Sequence, residues 1–445
     1  MRASFIHIAD THLGYEQYGV RERFNDFSRA FWDILDDAVH REIDFMVIAG
    51  DLFHKRAIDA LTLIHAIEGL KKLKARGIPV VAIEGNHDRS YYREGISWLQ
   101  FLCHEQYLTL LNPRMRDGAP IIAGWEQKTM SGSYIDVLDG RVRVYGLPWQ
   151  GAATVRSIEG MAQSMRAARA EEDAAGVEYR LLMMHTGVDS VVPRIQGLPT
   201  MAQFQPLRRC VDYLALGHVH KPFEFYDWMY NPGSTETCGA EESAWEDRGY
   251  YYVQIDTDSL DSIDDEDVDN DQSPHRATHL VSTRRPFVRH ELRVEGLSEP
   301  DGVYKLLEKY CRREREKYET DALRPLVQIH LIGTLAFDGG SLDLPYMEEI
   351  VRTLFEPLYV RIENNTNDQD YIPDGGEIDG RDRSTWHELE RRIFEDLVSR
   401  DNRYIAHREE WSKVLADLKR MSLDKDDPAE IARFLREKQA ELSEA

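Results

Sequence analysis

The chain has 445 residues, of which 42% are hydrophobic and 10% aromatic, and its 79 acidic and 55 basic residues give a net charge of −24. That length exceeds one compact core, so two or three domains are expected, with enough apolar residues to bury a sizeable interior. No apolar run approaches a membrane span, the N-terminus has no signal-peptide pattern, and the scattered cysteines (Cys103, Cys210, Cys238, Cys311) form no Cys-x-x-Cys pair, so the expectation is a cytoplasmic protein without membrane, disulfide framework or thiolate zinc site.

From the N-terminus, Phe5–Ala9 reads as a strand and Arg21–Arg41 as a helix with Phe24, Phe27, Phe31, Ile34, Leu35 and Ala38 on one face. Phe45–Gly50 reads as a second strand, Ala57–Arg76 as a second helix and Pro79–Gly85 as a third strand. This order predicts a buried parallel sheet flanked by helices. Strand-like segments follow at Ile121–Gly124 and Val142–Leu147, then a helix at Thr154–Ala174 and buried strands at Arg180–His185 and Tyr213–Gly217. Gly249–Ile255 closes the region. The later strands imply a second sheet packed on the first, a four-layer α/β/β/α core over residues 1–256.

Residues 257–284 read as a disordered insertion, because Asp256 to Asp271 holds nine acidic residues and no basic one. Strands at Val288–Val294, Leu326–Ile332 and Leu358–Glu363 alternate with helices at Asp301–Tyr318 and Pro345–Phe355, giving a small α/β cap domain over 285–364. Residues 365–383, rich in Asn, Asp and Gly, read as a linker. Residues 384–445 read as a helical segment, with helices near Ser384–Ser399, Tyr404–Met421 and Pro428–Glu441. So few helices suit docking on a partner better than an independent core.

Five fragments place oxygen or imidazole donors just past predicted strand ends: Asp10-Thr11-His12, Gly50-Asp51-Leu52-Phe53-His54, Gly85-Asn86-His87-Asp88, His185 and Gly217-His218-Val219-His220. In α/β sheets that edge is where ligands bind. Two divalent ions held by Asp10, His12, Asp51, Asn86, His185, His218 and His220 could bridge one phosphate and activate water for in-line attack. Mixed carboxylate and imidazole donors suit manganese, iron or zinc rather than calcium. Asp51 has two oxygens to share between ions, and Asn86 ligates without adding negative charge. Strand alternation is expected to put Asp10 and His12 on one side, and His218 and His220 likewise. Gly50, Gly85 and Gly217 are expected to turn the backbone sharply. One such fragment is weak; five in order are specific.

This ordered set resembles the calcineurin-like metallophosphoesterase superfamily. The runs Ile8-Ala9-Asp10-Thr11-His12-Leu13-Gly14-Tyr15 and Ile48-Ala49-Gly50-Asp51-Leu52-Phe53-His54, with Gly146-Leu147-Pro148-Trp149 and Asn231-Pro232-Gly233-Ser234, narrow the resemblance to the DNA double-strand-break repair nucleases of the Mre family, whose bacterial counterpart is SbcD. The resemblance implies two Mn²⁺ per subunit, one held by Asp10, His12, Asp51 and His220, the other by Asp51, Asn86, His185 and His218. It implies that His87 protonates the leaving 3′ oxygen or steadies the phosphate, that Asp88 orients His87, and that His54 touches substrate phosphate. It also implies a homodimer, for which Leu61, Ile64, Trp98, Leu99 and Leu102 offer apolar residues, although burial within the monomer explains several of them equally well. The helical tail would bind an SMC-like ABC ATPase of the Rad family, and the cap would contact DNA, with Arg284, Arg285 and Arg289 as its compact basic cluster.

An acidic surface gives no electrostatic support for DNA binding. Only 13 of the basic residues are lysines, however, and an acidic, lysine-poor surface also suits the salty cytoplasm of a halophilic archaeon, so charge does not exclude DNA. The expected activity is a Mn-dependent double-strand exonuclease and single-strand endonuclease. One rival is a phosphoesterase for a cyclic nucleotide or phosphoprotein; protein phosphatases of the superfamily carry Asp-Arg-Gly where this chain has Leu52-Phe53-His54-Lys55-Arg56. The other is a non-catalytic repair scaffold, which would be expected to lack ligands that are all present here.

Overall fold

The computed structural model describes residues 1–90, 95–192, 197–258, 273–318, 323–368, 394–395, 397–398, 407–423 and 428–443. The chain divides into two compact units, Met1–Asp368 and Gln369–Ala445.

In the first unit, one six-stranded sheet runs in the order His275–Val281, Gly249–Asp256, Arg2–Ile8, Phe45–Ile48, Val80–Ala82, Thr109–Leu110. Its last four strands are parallel, with Phe5 opposite Phe45 and Met46 opposite Val80. Helices Arg21–His40 and Ala60–Ala75 make the crossovers. The second six-stranded sheet runs Phe223–Phe225, Met229–Asn231, Tyr213–Gly217, Tyr179–His185, Val142–Leu147, Tyr134–Val137, with Gly217 paired in parallel to His185.

Pleat alternation sorts the side chains into layers. Phe5, Phe45, Val47 and Val81 of the first sheet meet Val144, Leu181, Met183 and Ala215 of the second. Ile6, Ile8, Met46 and Ile48 face the other way, onto Phe31, Ile34, Leu35 and Leu70 of the two helices. Beyond the second sheet, Leu182, Met184, Leu214 and Leu216 pack on Ile158, Met161 and Met165 of helix Thr154–Ala174. The α/β/β/α core therefore has the expected four layers.

Three parallel strands, Phe287–Arg293, Leu326–Leu335 and Tyr359–Asp368, with helices Pro300–Arg315 and Leu344–Phe355, form the cap around a core of Val303, Leu307, Leu331 and Val351. Core and cap belong to the same compact unit. A buried charge cluster joins them: Arg285, just before the first cap strand, pairs with Asp26, and Arg23 pairs with both Asp26 and Glu236.

Several boundaries differ from the sequence reading for identifiable reasons. The second helix starts at Ala60 rather than Ala57 because the Asp59 carboxylate caps it, accepting from Thr62 N at 2.7 Å. Ile121–Gly124 is not a strand; Ile121 N donates to Arg114 O, and the neighbour of Val142–Leu147 is Tyr134–Val137. His275–Val281 lies within the stretch read as an insertion, yet it pairs with Gly249–Asp256 as the sheet's outer strand. Residues 259–272 lie outside the described residues, as do 369–383 of the expected linker and most of the helix expected at Ser384–Ser399. The last cap strand runs through Asp368, past the expected end of the cap at 364. In the second unit, helices span Arg408–Leu423 and Pro428–Ser443.

Two expected surfaces are corrected. Leu99 and Leu102 are fully buried core residues, which leaves Leu61 and Ile64, 38% and 51% exposed, as the open part of the apolar set. Arg285 is consumed by its pair with Asp26, and Arg284 donates to the carbonyls of Arg248 and Glu246. Of the three arginines read as a DNA-contacting cluster, Arg289 alone keeps an exposed side chain.

Candidate metal centre

The parallel strands of the two sheets end at a common edge, and each ligand loop leaves from one of them. Asp10 and His12 follow Arg2–Ile8, Asp51 follows Phe45–Ile48, and Asn86 follows Val80–Ala82. His185 ends its own strand, and His218 and His220 follow Tyr213–Gly217. Pleat alternation does not orient the other six, because they sit beyond the ladders, whereas His185 is paired with Gly217 inside one. Asp10, His12, Asp51 and His218 instead have positive φ, at 52°, 47°, 52° and 86°. Non-glycine residues rarely adopt that region, and such local strain is concentrated at functional sites.

The glycines serve closeness more than turning. Gly50 has φ +94°, but Gly85 and Gly217 do not have positive φ. A Cβ on Gly85 would lie 2.0 Å from Asp51 Oδ1, and one on Gly217 would lie 2.4 Å from Ala49 O.

All seven predicted ligands converge. His12 Nε2 and His220 Nε2 are 3.1 Å apart, and Asp10 Oδ1 is 3.8 Å from His220 Nε2. His185 Nε2 lies 3.3 Å from Asp51 Oδ2 and 3.2 Å from Asn86 Oδ1, and His218 Nδ1 lies 3.0 Å from Asn86 Oδ1. Asp10, His12 and Asp51 bring donor atoms within 4.8 Å of one another.

These residues fit divalent cations. Asp10 Oδ1 and His12 Nδ1 are buried with no hydrogen-bond partner, which is costly unless another group binds there. Imidazole nitrogens 3.1 Å apart suit two ligands of one ion, given metal–nitrogen bonds of about 2.0–2.1 Å. The electrostatics agree. Burial alone would lower the His185 pKa, but Asp51 overrides it and raises it to about 9. Burial would raise Asp51, and His185 in turn holds it below the usual carboxylate range. The cluster thus retains a proton on His185 that a metal ion would displace. Burial drives His218 down to about 3, leaving it neutral and ready to ligate, and raises Asp10 to about 6.

The three residues predicted beside the metals divide. His87 Nδ1 donates to the His54 carbonyl at 2.6 Å, and the His87 ring centroid is 5.0 Å from that of His12. The His54 ring stacks on Tyr15 with centroids 3.7 Å apart. His12, His54 and His87 form a second potential ligand group. Asp88 does not orient His87. Its carboxylate is taken up by backbone N–H groups of Gly85 and Leu52 on Oδ2, at 2.9 and 3.3 Å, and of Phe53 on Oδ1 at 3.0 Å. It ties the Asp51 loop to the Asn86 loop.

The sequence reading missed Glu242, which accepts from His220 Nδ1 at 2.6 Å, and Cys238, which joins His12 and His220 in a third potential ligand group. Two histidines outside the cluster have structural partners: His7 is buried between Tyr213 Oη and the Leu216 carbonyl, and His65 bonds to Ser28 Oγ.

Residues 3–222 match the calcineurin-like phosphoesterase family model. The chain is similar to the DNA double-strand break repair protein Mre11 of Archaeoglobus fulgidus, 30% identical over 249 residues that cover 54% of this chain and 52% of that one. The protein of the same description from Methanocaldococcus jannaschii is 27% identical over 276 residues, 60% of this chain and 66% of that one. That from Haloferax volcanii is 43% identical over 94 residues, 21% of each chain. The chain spans about half the length of the first curated relatives it matches. Among the described residues no helix is long and apolar enough to cross a membrane.

Proposed function

We propose that this protein is a two-metal DNA phosphodiesterase that trims double-strand ends and cuts single strands during break repair. The observation that carries the reading is the convergence of two carboxylates, one amide and four imidazoles at the common edge of the two sheets, with His87 beside them. The relatives described as double-strand break repair proteins point the chemistry at DNA.

In this reading Asp10, His12, Asp51 and His220 hold one Mn²⁺, and Asp51, Asn86, His185 and His218 hold the other. Two ions bound there would supply charge neutralisation for the phosphodiester and a more acidic water. The chain's own residues do the rest. His87 Nδ1–H is anchored on the His54 carbonyl, so that the ring, as the imidazolium, gives its Nε2 proton to the departing 3′ oxygen and returns to the neutral Nδ1–H tautomer. His54, fixed by Tyr15, presents its ring to substrate phosphate. Asp88 holds the Asp51 and Asn86 loops in register. Leu61 and Ile64 provide part of a homodimer face, and the C-terminal helices bind an SMC-like ABC ATPase of the Rad family.

The test is degradation of linear duplex and single-stranded oligonucleotides with added Mn²⁺, at low and high salt, by wild type, Asp51→Ala and His87→Ala. Wild type should cleave both DNA forms and the variants neither. Intact DNA beside cleavage of a generic phosphodiester would favour a small-substrate phosphoesterase. For the tail, a truncation near residue 380 should no longer co-purify with the ATPase.

A further inference from the structure

Among the described residues, His220 is the one ligand imidazole with a carboxylate behind it. Its Nδ1–H donates to Glu242 Oε1 at 2.6 Å. Glu242 is 6% exposed and is held as an anion from its other side. Arg248 Nη1 donates to its Oε2 at 2.8 Å, as do the backbone N–H of Cys238 at 2.9 Å and Ser234 Oγ at 3.2 Å. Arg248 is itself 2% exposed and anchored to the Trp245 carbonyl and Thr237 Oγ1. The position of Glu242 is therefore built from several independent contacts.

The other ligand histidines differ. His185 Nδ1–H donates to a neutral acceptor, the Ala49 carbonyl, at 2.8 Å. His12 Nδ1 is buried without a partner. His218 turns Nδ1 toward Asn86 Oδ1. A carboxylate behind a metal-bound imidazole fixes the tautomer, aims the free nitrogen and raises its basicity more than a carbonyl does. His220 Nε2 is the nitrogen so aimed, toward His12 Nε2 and Asp10 Oδ1.

We infer that Glu242 is a positioning residue for His220 that makes the ion held by Asp10, His12, Asp51 and His220 the tighter of the two, so that the metals load in order. The inference rests on the two-metal reading above. It explains why an acidic side chain is buried there with an arginine to keep it charged: the carboxylate acts through His220 and touches neither metal nor substrate.

The test uses the full chain, stripped of metal and titrated with Mn²⁺ while free Mn²⁺ is followed by electron paramagnetic resonance. Wild type should bind in a tight and a weaker step. Glu242→Gln should weaken the tight step by about 10–100-fold and leave the weaker step in place. Asn86→Ala should lower the weaker step alone. Folding of each variant is checked by its melting curve in chelator. If Glu242→Gln does not fold, Glu242→Asp keeps the charge opposite Arg248 but withdraws it from His220 by one methylene, and it must show the same loss. A folded Glu242 variant with both steps unchanged, or with only the weaker step lowered, overturns the inference. Uptake of fewer than two Mn²⁺ by wild type would instead strike the two-metal reading itself.

Discussion

Arg285 grips both oxygens of Asp26, Nε to Oδ2 at 2.6 Å and Nη2 to Oδ1 at 2.9 Å, with the Asp26 side chain fully buried. Arg23 adds a bond to the same carboxylate at 2.7 Å. Removing Asp26 leaves the buried Arg285 without its carboxylate and takes from Arg23 one of its two, the other being Glu236, a change that costs about 3–5 kcal/mol. Asp26→Ala should therefore lower the denaturation midpoint far more than Lys71→Ala, whose pair with Glu68 lies in solvent and adds little. Equal effects in urea unfolding would show that the cluster is not what fastens the cap.

Gly85 gives a prediction about space. A methyl group there would meet Asp51 Oδ1 at 2.0 Å and Asp51 N at 2.5 Å. Gly85→Ala should cost about 1–3 kcal/mol of stability, as overpacking does. It should also abolish paired Mn²⁺ uptake by pushing Asp51 aside. Calorimetric titration reads the second effect, and unchanged uptake would mean that Asp51 can retreat without leaving the metals.

His87 should separate binding from chemistry. A lost general acid lowers turnover by about 10²–10⁴-fold. His87→Ala should show that loss in the oligonucleotide assay while its Mn²⁺ titration matches wild type. A variant that binds fewer ions would make His87 a ligand.

Acid should destabilise the core through two buried histidines. Burial lowers His275, which sits between Tyr179 Oη and Tyr230 Oη, to about 4, and lowers His7 to about 3. Unfolded, each titrates near 6.5. Above that value both states are neutral and the contribution is fully present. Below it the unfolded chain binds protons the folded one refuses, so stability falls as pH drops from about 6.5 toward 4. Melting temperatures in chelator across that range check this, and the slope should lessen in a folded His275→Gln variant.

The candidate ligands were legible because each combines a polar donor with the end of an apolar strand, and glycine marks three of the loops. Strand type and layer order were legible for the same reason: buried parallel strands such as Phe45–Ile48 are wholly apolar. Tyr134–Val137 was not, since it is short and carries Asp136 to pair with Arg143 on the next strand. His275–Val281 was hidden behind the acidic run and has the half-exposed pattern of an edge. Glu242 sits in a one-turn stretch, Ala240–Ala244, whose acidic residues look like surface. Only the fold reveals that it reaches His220, 22 positions earlier. Asp88 misled by adjacency: it follows His87 in sequence, but its carboxylate turns toward Gly85, Leu52 and Phe53.

That turn gives the centre a shared datum. The Asp51 and Asn86 loops leave different strands, and two such loops would ordinarily carry independent errors into the distance between their donors. Because one side chain is the stop against which both are set, their errors become common and cancel in the separation. The practical corollary concerns transplantation. Either loop moved alone into another scaffold would arrive without its reference surface, whereas the two moved together with Asp88 would bring the spacing with them.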